Sequence, residues 1–147
     1  MCQMLYMATE GDQAIWQSPE LRVEEVEASR AAIRQWFSLP VVRFIGAYTG
    51  CSCGFPSVIA EEPVEYFEGM VLGDQDREAE LGSVRSLLRY MKDQLAAADH
   101  VELYPVWEGE EGQPPKGVIN IRVETVVPET FFFNQRFLYR VTGAREA

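Results

Sequence analysis

Val41-Val42-Arg43-Phe44-Ile45-Gly46-Ala47-Tyr48-Thr49 runs straight into Gly50-Cys51-Ser52-Cys53-Gly54. Apolar side chains stand on both parities of 41–49, so the segment reads as an interior strand covered on both faces. Upstream, Pro40 stops a helix that begins near Ala28, in which Ile33, Trp36 and Phe37 share one side at i, i+3 and i+4. Before that helix, Leu21-Arg22-Val23-Glu24 alternates as a strand. Residues 9–19 are polar and end in Ser18-Pro19, a loop signal, and residues 2–8 are apolar enough for a first strand. Strand, short helix and interior strand in that order predict a βαβ unit, right-handed by the usual crossover rule.

Downstream, residues 50–75 form a long connection holding Pro56, Pro63 and the acidic residues Glu61, Glu62, Glu65 and Glu68. A connection of that length inside a compact domain usually carries function. A short strand at Glu65–Leu72 is an open alternative within it. The next helix is capped by Asp74 or Asp76, with Glu78 and Glu80 complementing its dipole. Leu81, Val84, Leu88, Met91, Leu95 and Ala98 make its apolar stripe, and it ends near Ala98–His100.

Three strands complete the chain. Val101, Leu103 and Trp107 alternate with Glu102 and Tyr104, and Pro105 points to a strand end or sheet edge. An acidic turn, Glu108-Gly109-Glu110-Glu111-Gly112, reads as a solvated hairpin tip. Ile119 to Val127 and Phe131 to Val141 then alternate with period 2, each with one wet face. The expectation is an α+β fold: a mixed, mostly antiparallel sheet of about five to six strands, with two helices packed on one face. One domain accounts for residues 1–147.

The chain has 147 residues, 47% of them hydrophobic, which is enough to fill a core without cross-links. Thirteen basic against 23 acidic residues leave a net charge of −10. That balance opposes binding to nucleic acid or anionic lipid, both of which need neutralising cations. The longest nearly apolar run, Leu39 to Tyr48, contains Pro40 and Arg43 and is far short of the roughly 20 residues that span a bilayer. The segment Met1 to Met7 lacks the basic and cleavage elements of a secretory signal, so a cytoplasmic location with reduced thiols is expected.

The three cysteines carry the chemical signal. Cys51 and Cys53 share a face if the strand continues past Thr49, and remain neighbours if it turns. Four readings follow. All three are small packing residues. Cys51 and Cys53 form a redox pair, Cys51 the nucleophile and Cys53 its resolving partner, with a ring tighter than that of Cys-x-x-Cys. Cys2, Cys51, Cys53 and His100 supply the Cys₃His set that zinc accepts. Or removal of Met1 leaves Cys2 as an N-terminal nucleophile, its own amine the base of a hydrolase. His100 also reads as a cation at the C-terminal end of the long helix. The class that competes with all chemical readings is a non-catalytic interaction domain. There an exposed Phe132 at a sheet edge, or Trp16, meets a second copy or another protein.

Overall fold

The computed structural model describes residues 2–64 and 76–143. The chain opens with strand β1 (Gln3–Thr9), followed by the two-residue β2 (Trp16–Gln17) and β3 (Arg22–Glu25). A 3-10 helix (Ala28–Trp36) leads into β4 (Val41–Gly46). A second 3-10 turn (Ser52–Gly54) and β5 (Ser57–Val58) follow. Helix α1 (Arg77–Leu95) precedes β6 (His100–Trp107) and β7 (Gly117–Arg122). After a third 3-10 turn (Val123–Thr125) the chain ends in β8 (Phe133–Asn134) and β9 (Phe137–Thr142).

Among the described residues, seven strands form one mixed sheet in the order β2-β3-β4-β1-β6-β9-β7, and β5 pairs with β8 in a separate two-stranded ribbon. The α+β class holds, but the sheet is larger than the five to six strands expected. The added strand is β2, an edge pair inside the segment expected to be loop, where Trp16 lies opposite Val23. All sheet neighbours are antiparallel except β7 and β9. The expected βαβ unit is therefore absent among the described residues. β3 and β4, joined through the 3-10 helix, run antiparallel, a register that sets Glu25 opposite Arg43.

The two helical elements lie on opposite faces of the sheet, not on one. Consecutive residues of β1 separate into two apolar clusters, as the pleat requires. Leu5 and Met7 join Val84, Leu87, Met91 and Leu95 of α1. Tyr6 and Ala8 join Ile33 of the 3-10 helix, with Trp36 and Phe37 packed beside it. A helix on one face only would have left Tyr6, Ala8, Val42 and Tyr104 in water. β4 contributes to both clusters through Ile45 and Val42. The most deeply buried strands, however, are β1 and β6 at the centre of the sheet.

Asp76 caps α1, its carboxylate accepting from the Ala79 N–H at 3.1 Å. Asp74 and the segment Glu65–Leu72 lie outside the described residues. Leu87 joins the expected stripe of Val84, Leu88, Met91 and Leu95. Pro105 sits inside β6, not at its end. β6 pairs with β9 only over His100–Leu103, so the missing N–H of Pro105 falls past that ladder.

The long C-terminal alternations are shorter in space than in sequence. β7 gives way to a 3-10 turn at Val123. The expected last strand is split by Arg136 at φ 70, a left-handed turn between β8 and β9. That break removes the wet face from 131–135, and Phe132 is buried, not exposed.

The acidic turn is not a solvated tip. Glu111 is 5% exposed. It accepts from the Tyr6 hydroxyl at 2.9 Å, from Arg30 at 3.0 Å and from the Gly109 N–H at 3.0 Å. The Trp36 indole donates to its carbonyl at 2.9 Å, tying turn to 3-10 helix. Burial pushes the Glu111 carboxyl up, but hydrogen bonds from its own backbone, Tyr6 and Arg30, with the Arg30 charge, outweigh it and hold its pKa low. A carboxylate depressed by folding stabilises fully above its unfolded pKa of about 4.3, and that stability is lost as pH falls through the lower folded value. Glu111→Gln is expected to cost about 2 kcal/mol near pH 7. Urea denaturation at two pH values checks it: the cost must shrink at pH 3, and an equal cost at both refutes the assignment.

Candidate functional site

The site is assembled where β1 and β4 part. Val41 to Ile45 pair with β1 as far as Leu5, and the chain then turns over Ala47–Cys51. Gly50 donates to the Ala47 carbonyl at 2.9 Å, and Ala47 donates to the Cys51 carbonyl at 2.9 Å. Gly50 has φ 87, which only glycine adopts without strain. A Cβ at Gly46 would lie 2.6 Å from the Gly50 carbonyl oxygen, so the return of the loop across the strand end requires glycine there too.

Ser52 wedges into the opening. It is fully buried. Its hydroxyl accepts from the Leu5 N–H at 2.8 Å and donates to the Ile45 carbonyl at 2.6 Å. A side chain thereby bridges the two strands at the register position where Leu5 faces Ile45. Two residues further out, Gln3 has no register partner on β4, and its N–H donates to the Cys53 sulfur at 3.2 Å. The Gln3 side chain reaches back into the loop, donating to the carbonyls of Ser52 at 2.7 Å and Phe55 at 3.0 Å. It accepts in turn from the Gln135 amide at 2.5 Å. On the far side, the Tyr48 N–H donates to Ser83 of α1 at 2.9 Å.

These ties bring Cys2, Cys51 and Cys53 together. Their sulfurs all lie within 4.8 Å of one another. Cys2 and Cys51 are half-buried and Cys53 is exposed. Comparison with protein-family models, curated proteins and solved structures finds no match to this chain.

His100 does not join the three sulfurs. It opens β6, whose opposite end pairs with Gln3 beside Cys2. Eight residues of extended chain hold the imidazole roughly 25 Å from the sulfurs. Nor does it cap α1, which ends at Leu95 with Ala96 as its cap. Instead His100 Nε2 lies 3.4 Å from the Glu102 carboxylate.

The thiols are electrostatically unequal. Burial raises the Cys51 thiol, but hydrogen bonding with the Thr49 hydroxyl, the Cys53 backbone and the neighbouring thiols outweighs it, and its pKa falls below the ordinary value. Burial and the proximity of Cys51 push the Cys53 thiol up to about 12, against the lowering effect of the Gln3 N–H. Of this pair, Cys51 is the more acidic thiol and Cys53 the less acidic.

Cys2 and Cys51 also line a cavity of about 190 Å³. Met4, Tyr6 and Phe44 form its apolar wall. Glu24, Glu25, Glu27 and Glu108 surround it, with Arg30 the only cationic side chain among the lining residues. Arg30 is already engaged, at 2.8 Å from Glu108 and 3.0 Å from Glu111. The approach to two of the sulfurs is therefore a field that concentrates cations.

Sequence reasoning found the three cysteines and missed what positions them. Gln3 and Ser52 are both buried polar residues flanked by apolar or cysteine neighbours. A lone glutamine inside the apolar run 2–8 was the available signal, because a buried amide must find partners.

Proposed function

We propose that the chain binds a soft, thiophilic metal ion of the zinc class, with Cys2, Cys51 and Cys53 as its protein ligands. One observation carries the reading: three sulfurs from two separate segments lie within 4.8 Å of one another. A tetrahedral zinc with bonds of about 2.3 Å spaces its sulfurs about 3.8 Å apart, so the three sulfurs stand within about 1 Å of that spacing. Thiolates favour soft ions over magnesium or calcium. With His100 remote, three protein ligands leave one position for solvent, a substrate or a delivered partner ligand, the pattern of an open site rather than a sealed structural one. The acidic cavity beside Cys2 and Cys51 supports the same reading, because it favours cation entry.

Cobalt titration of the reduced full chain tests it. Expected are one equivalent bound, a thiolate-to-metal absorption band, and proton release on binding. Cys51→Ser should weaken affinity by about 100-fold or more, since a ligand matters at least as much as the groups that orient it. Substoichiometric binding, or binding without the thiolate band, overturns the proposal.

A further inference from the structure

We infer that the metal-free cluster is an oxidative modification site in which Cys2 and Cys51, not Cys51 and Cys53, close a disulfide when a hydroperoxide reaches them. The inference rests on the placement of the sulfurs and holds whether or not a metal binds.

Proximity alone does not choose among the three pairs, because every pair lies within the same 4.8 Å. The surroundings do. Cys51 and Cys53 are joined through Ser52, whose hydroxyl is locked between the Leu5 N–H and the Ile45 carbonyl and whose own carbonyl holds the Gln3 amide. A disulfide across a single intervening residue needs the backbone to bend to its geometry. Here bending would break three hydrogen bonds of fully or nearly fully buried groups. The Cys53 sulfur is moreover the acceptor for the Gln3 N–H at 3.2 Å. Gln3 is 2% exposed, so pulling the sulfur away strands a buried donor. The Cys2 thiol hydrogen-bonds with the thiols of Cys51 and Cys53, so closing on Cys51 strands no backbone donor, and its carbonyl separately accepts from the Glu108 N–H at 2.8 Å. Cys2 and Cys51 face the same 190 Å³ cavity, which gives a small oxidant one route to both.

The chemistry balances with a hydroperoxide, ROOH. The Cys51 sulfur attacks the terminal oxygen, the O–O bond breaks, and ROH leaves with one proton, giving a sulfenic acid at Cys51. The Cys2 sulfur then attacks the Cys51 sulfur. The S–O bond breaks, and the hydroxyl departs as water with the Cys2 proton. Two thiols lose two electrons and the hydroperoxide gains them. The product ties the start of β1 to the loop after β4 and removes two of the three proposed metal ligands.

The test uses the reduced, chelator-treated full chain and one equivalent of hydrogen peroxide, followed by alkylation, trypsin and mass spectrometry. Cleavage after Arg22, Arg43 and Arg77 puts Cys2 in one peptide and Cys51 with Cys53 in another. The expected product is a link between these two peptides. Cys53→Ser should still form this link, while Cys2→Ser and Cys51→Ser should lose it by at least about tenfold. In Cys2→Ser the Cys51 sulfenic acid should accumulate and be trapped by dimedone. A disulfide internal to the second peptide, a link that survives in Cys51→Ser, or oxidation to sulfinic acid with no link overturns the inference. Repeating the reaction after zinc addition separates the two readings. Slower oxidation with zinc supports both. Oxidation unchanged by zinc, with the link still between Cys2 and Cys51, sinks the metal proposal and leaves this one standing.

Discussion

Ser52→Ala is expected to destabilise the protein by about 3 kcal/mol, because it strands two buried backbone groups at once. The Leu5 N–H and the Ile45 carbonyl meet through that hydroxyl, and Ser52 is fully buried. At this chain length the loss corresponds to a fall in melting temperature of roughly 9 °C. The effect should not stop at stability. The wedge sets where the loop leaves the sheet, so cobalt affinity should fall about tenfold although no sulfur has changed. Thermal melting and metal titration of the variant check both. A variant that melts within 2 °C of the parent, roughly half a kcal/mol, would show that β1 and β4 close without the hydroxyl.

Phe133→Ala is expected to cost more, about 4 kcal/mol or roughly 12 °C in melting temperature. Phe133 has no exposed surface. Its ring meets Phe131 at 4.8 Å, Tyr139 at 5.5 Å and Phe55 at 6.1 Å, each edge to face. Three such partners cannot all move into the space left behind, so a cavity persists. Phe55 follows the cysteine loop directly, and the Phe133 N–H donates to the Pro56 carbonyl at 2.8 Å. The aromatic cluster therefore anchors the C-terminal side of the site. Phe133→Leu, which keeps most of the volume, should recover more than half of the loss in a urea titration. Equal losses for both variants would contradict the cavity argument.

What could be read in the residues followed the strength of local periodicity. β1, β3, β4 and α1 stand close to where their apolar patterns put them, and the cap at Asp76 is where an acidic residue before an apolar stripe belongs. Two failures have the same origin: period 2 in apolar residues says that a segment is pleated and half-covered, not what covers it. β1 offers apolar side chains on both parities, which is compatible with helices on one face or on both. Only the division of Leu5 and Met7 from Tyr6 and Ala8 decides between them. Likewise Phe131 to Val141 alternates smoothly, yet Arg136 takes a positive φ that no pattern of hydrophobicity announces. The cysteine pair was legible as a neighbour relation, since residues with a single residue between them cannot be far apart. The approach of Cys2 was not, because it depends on β1 and β4 pairing in one particular register. His100 misled because it is the single histidine and sits between a helix and a strand. Its place at the far end of β6 follows from where α1 stops.

If the cluster binds the proposed ion, the sulfurs' distribution along the polypeptide couples ion capture to folding. A peptide cut out around residues 50–54 keeps two of the three donors and loses the third, which arrives only once β1 has docked. On that proposal an unfolded molecule would be a poor chelator, and each ion bound would select the native state. At a free concentration a hundred times its dissociation constant, such an ion would add about 2.7 kcal/mol to the unfolding free energy. Depleting it would loosen the central ladder of the sheet along with emptying the site.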